Sequence, residues 1–114
     1  MWTKIAILAL LATPAVATAA PADWKALADC AAAYRANAGI KDPSRAPSMR
    51  EQISDEADSY LKAALSPYRA ATKEPEVKAR GALKAYVARR TPDFARQKRD
   101  AIDHFIDACP QVGG

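Results

Sequence analysis

The sequence predicts an all-α fold, a small bundle of about four helices clipped by one disulfide. Three observations lead there. Apolar residues recur three and four positions apart, with no strand-like alternation anywhere. Pro, Gly and Thr separate these stretches into helix-sized pieces. The chain's two cysteines, Cys30 and Cys109, fall on the apolar faces of the first and last pieces, where an inter-helix bridge must begin and end.

The first helix is expected over residues 23–38. Asp23 stands at its N-cap, and Gly39 stands where a left-handed C-terminal residue is wanted. Trp24, Leu27, Cys30, Ala31 and Tyr34 make its stripe. A loop over 39–47 follows. Ser48 and Glu51 have the spacing of a capping box, which places the second helix start at Ser48. Its stripe is Met49, Ile53, Ala57, Tyr60, Leu61, Ala64 and Leu65. Pro67 either ends or kinks this helix, or opens a short extra turn through Ala71.

The third helix starts between Thr72 and Pro75, with Glu74 and Glu76 favourably placed at the positive end of its dipole. It carries Val77, Leu83, Tyr86 and Val87 and ends at Arg89-Arg90. Gly81 inside it implies a close approach by a neighbouring helix, because glycine there costs about 1 kcal/mol relative to alanine. Thr91-Pro92-Asp93 reads as the start of the fourth helix: a cap, a proline at the first position and an acid in the first turn. Phe94, Ala101, Ile102, Phe105, Ile106 and Cys109 form its apolar face.

Ahead of the bundle, residues 1–19 read as a cleavable secretory signal peptide. Lys4 supplies the positive start, Ile5–Ala12 the apolar core, and Ala17 and Ala19 the small residues before the cut. Pro21 disfavours cleavage one residue later, so the cut is expected after Ala19. An eight-residue apolar core is far short of the roughly 20 residues that span a bilayer. Residues 20–114 then form one helical domain, periplasmic or secreted, in an oxidising compartment that permits the Cys30–Cys109 bridge.

The formal net charge is +4, and loss of Lys4 leaves +3, too little to argue for a nucleic-acid partner. Half of the residues are hydrophobic, but alanine supplies much of that share, so the core must be thin and the helices close.

No arrangement of residues points to catalysis or to a resident cofactor. GxSxG and CxxCH are absent. Asp100, His104 and Asp107 share one side of the fourth helix and offer too few ligands for a tight metal site. Haem ligation by His104 and Met49 is the other cofactor reading, and Met49 fits a core filler better.

The largest charge feature is Arg89, Arg90, Arg96, Lys98 and Arg99 around the expected junction of helices three and four. Such a cluster suits an anionic envelope component or an acidic protein. The sequence therefore implies a monomeric, non-enzymatic envelope protein that binds or protects another macromolecule, with a small metal or haem carrier as the alternative.

Overall fold

At the centre lies the most alanine-rich helix. The computed structural model describes residues 23–112. It contains α1 (Trp24–Ala38), α2 (Pro47–Thr72), α3 (Glu76–Ala95) and α4 (Arg99–Asp107), with no strand among the described residues. The expected signal peptide and its cleavage point lie outside the described residues.

Leu27, Ala28, Cys30, Ala31, Ala32, Ala33, Ala36 and Asn37 of α1 are all buried. At 3.6 residues per turn these positions point in every direction, so α1 is covered all round rather than on one stripe. It packs against each of the other three helices. Alanine makes this possible, because a methyl side chain lets neighbouring axes approach closely.

Large side chains from the outer helices close over this thin centre. Tyr60 and Tyr68 come from α2, Leu83, Val87 and Phe94 from α3, and Ile102 from α4. Full burial of each such group is worth about 1.5–3 kcal/mol. Trp24 meets Tyr68 and Tyr86 edge-on at 4.9 and 5.2 Å, tying the start of α1 to α2 and α3. Tyr34 stacks on Tyr60 at 5.3 Å further along.

The short α4 packs mainly on α1 and is held by several separate ties. Cys30 and Cys109 form the expected disulfide, with their Cα atoms 6.1 Å apart. Phe105 packs on Phe94 at 4.8 Å. The Tyr60 hydroxyl donates to the Pro110 carbonyl at 2.6 Å. Arg99 pairs with Asp42 at 2.7 Å, linking α4 to the loop after α1.

The helix ends differ from the expected ones, and each difference has a cause. Helix α2 starts at Pro47 with Ala46 as N-cap, so Ser48 is already inside and makes no capping bond. A proline's fixed φ suits the first helical position, and here it outweighs the capping box. Pro67 does not end the helix, because Ala57, Tyr60, Ala64 and Tyr68 form one continuous buried stripe through it.

Thr91-Pro92-Asp93 likewise starts nothing and lies inside α3. Continuing the helix keeps Phe94 on the stripe of Ala79, Leu83 and Val87, and the Thr91 hydroxyl donates to the Val87 carbonyl at 2.7 Å. The last helix begins only at Arg99. At the end of α1, Gly39 is right-handed at φ −80°, its amide reaching the Arg35 and Ala36 carbonyls. The one left-handed residue among those described is Lys73, at φ 64° in the α2–α3 turn. Met49 and Val77, placed on apolar stripes by spacing alone, are 47% and 85% exposed.

Gly81 also departs from expectation: no neighbouring helix comes close. A Cβ built on it meets nothing within 4 Å. Gly81→Ala should therefore stabilise the protein by about 1 kcal/mol, the helix-propensity gain. That is a rise in melting temperature of roughly 4–8 °C, readable by circular dichroism.

Candidate functional site

Of the five expected cluster residues, the structure ties three to acids. Arg90 donates to Asp29 at 3.0 Å and to Asp93 at 2.9 Å. Arg96 also pairs with Asp93, and Arg99 with Asp42. The Ser44 hydroxyl and amide, together with Arg99, hold the Asp42 carboxyl well below the usual carboxylate range. Arg89 and Lys98 are exposed and have no ion pair among the described residues. The Arg89-Arg90 pair does not end a helix, since α3 runs on to Ala95.

Asp29 gathers two donors, Arg90 and the Tyr86 hydroxyl at 2.9 Å. This is a structural clamp between α1 and α3. Burial first, then the bond to Asp29, pushes the Tyr86 phenol above its ordinary value, so it is not poised as a base. Tyr34 and Tyr68 are raised as well, and burial pushes Tyr60 up to about 12.

An unfolded tyrosine ionises near 10. The native phenols hold their protons longer, so their contribution to stability is complete below pH 10 and is lost as pH rises towards 12. Alkaline unfolding should accordingly set in above pH 10. Phenolate absorbance should appear together with loss of helix rather than before it.

Asp100, His104 and Asp107 are all exposed on α4. Among the described residues, no three potential ligands converge on a point where a metal ion would sit. No described helix is long and apolar enough to cross a membrane.

What spacing alone did not reveal is an open groove of about 500 Å³ between α2 and α3. Leu61 and Leu65, one turn apart on α2, form one wall, and Leu83 of α3 lies opposite. The rim carries Asp58 and Lys62 from α2 and Arg80 and Lys84 from α3. Asp58 is engaged by Arg35 at 2.6 Å, and Arg80 by Glu76 at 2.5 Å. Glu76 also faces Arg69 at 3.7 Å near the α2–α3 turn. Lys62 and Lys84 are exposed and have no ion pair among the described residues. The groove thus combines an aliphatic wall from α2 with two ammonium groups that have no ion pair among the described residues, one from each helix.

The groove exists because α1 separates the two long helices, both of which pack more on α1 than on each other. The sequence held a partial signal in Lys62, a cation set between Leu61 and Leu65 of the apolar stripe. Compared with family models, curated proteins and solved structures, the chain matches none of them.

Proposed function

We propose that this chain is an exported, non-enzymatic binding protein of the cell envelope, periplasmic or secreted, that holds an anionic partner between α2 and α3. The observation that carries the reading is the groove itself. Its volume of about 500 Å³ falls among those of small-molecule sites, which are mostly apolar with a few placed polar groups. Lys62 and Lys84 supply the placed charge. The Arg89–Arg99 segment is the weaker candidate for an anionic partner, since Asp29, Asp42 and Asp93 already engage Arg90, Arg96 and Arg99.

Export is supported by the charged start, apolar core and small residues of positions 1–19, and by a disulfide, which persists in oxidising compartments. Intact-mass analysis of protein recovered from the export compartment should give residues 20–114. A species keeping Met1 would contradict that.

Binding is tested by nuclear magnetic resonance on the labelled, oxidised chain. An anionic fraction of the native envelope should shift signals of Lys62, Leu61, Leu65, Leu83 and Lys84, less so as salt rises, because exposed charges are screened over about 8 Å at physiological salt. Shifts confined to α4, or none, would overturn the reading.

A further inference from the structure

Resting on that reading of the groove, we infer that its occupant is a single-chain anionic amphiphile, a long alkyl chain ending in a carboxylate. The walls select the chain. Leu61 and Leu65, both half-buried on α2, give the accessible aliphatic surface, while Leu83 of α3, 1% exposed, meets the groove from the core side. From Asp58 to Leu65 the α2 wall runs about 10 Å at 1.5 Å per residue. Val77, 85% exposed, lies seven residues before Lys84 and so on the same side of α3. No other large side chain among the described residues is an aliphatic group so open to water.

The rim selects the head. Asp58 and Arg80 are each matched by a partner within the fold, which leaves Lys62 and Lys84 as the groove's unbalanced charge. Two ammonium groups on opposite rims can close on one carboxylate between them, each as a compact point charge. Their distance from the leucine walls is set by the helices: Lys62 follows Leu61, and Lys84 follows Leu83. An occupant with its chain on the leucines therefore brings its head to the lysines without spanning a gap.

A second copy of the chain fits poorly, because pairing two such grooves would oppose four lysines in a chain already at +4. A flat anionic bilayer is also the poorer match. Surface attraction of that kind draws on clusters of 4–8 cations, and here the leucines lie between two helices rather than on an outward face.

The test uses monomeric dodecanoate and the full oxidised chain, with dodecyltrimethylammonium, butyrate and anionic phospholipid vesicles in parallel. Dodecanoate should shift the methyl signals of Leu61, Leu65 and Leu83 in a saturable way below its micelle threshold. Dodecyltrimethylammonium should bind at least tenfold more weakly, and butyrate at least a hundredfold. Changing both rim lysines, Lys62→Glu with Lys84→Glu, should weaken dodecanoate at least tenfold and reverse the preference between the two detergents. The melting temperature should hold, since both side chains are exposed.

Equal binding of the two detergents, or shifts away from the groove, would overturn the inference. So would capture by vesicles without binding of monomeric dodecanoate. If the envelope fraction shifts the groove residues and dodecanoate does not, the groove reading stands and the amphiphile falls. If neither shifts them, both fall.

Discussion

Replacing Cys30 and Cys109 together by Ala should lower the stability of this fold by about 4–5 kcal/mol, the loop-closure entropy expected for a bridge spanning 79 residues. A small domain has only about 5–15 kcal/mol in all, so much of the total rests on one bond. The loss should show first in α4. Nine residues are too few to stay helical alone, and without the bridge α4 keeps Ile102, Phe105, Ile106 and the Arg99 and Tyr60 ties. Amide exchange in α4 should quicken before exchange in α1 changes, and denaturant melts should move to a lower midpoint. Unchanged midpoints for the double variant would contradict this account of the fold.

Ala32→Leu should be strongly damaging, costing about 3 kcal/mol or more. Overpacking in a close-packed interior typically costs 1–3 kcal/mol. Ala32 sits at the upper end because its 0% exposure belongs to a helix enclosed on every side. The new side chain has no solvent direction in which to escape. Ala26→Leu in the same helix is the control: Ala26 is exposed, so its effect should stay within about 0.5 kcal/mol. Chemical denaturation of both variants gives the comparison. Equal effects at the two sites would mean that α1 is not enclosed as described.

The helical architecture and the bridge were legible because both depend on local periodicity and on cysteine placement. The position of α1 at the centre was less so. Its alanines declared close packing, but spacing pointed to a single stripe, whereas Ala28, Ala32 and Ala36 are buried on its other sides. Proline was the main source of misplaced boundaries. Phe94 lies seven residues after Val87 and eight before Ile102, so it matches the apolar phase of the helix on either side. Only packing decides between them, and it carries α3 through Pro92.

The candidate site was harder still. Arg99 and Asp42 are 57 residues apart and Arg90 and Asp29 are 61 apart, so nothing local showed that the arginine cluster was already matched. Lys62 and Lys84 belong to different helices, and only the separation of those helices by α1 leaves them on opposite rims of one groove.

The way α1 and α4 are joined bears on how the protein matures. With two cysteines in the chain, oxidation has one intramolecular product, and no shuffled isomer of the monomer exists to be corrected. Thiol oxidation then needs an electron acceptor but no disulfide isomerase, and the competing wrong product is a covalent dimer. Cys30 meets its partner only after 79 further positions have been laid down. Until then its thiol belongs to the helix that the others later bury, which makes crowding during synthesis, rather than mispairing within the chain, the main hazard to yield.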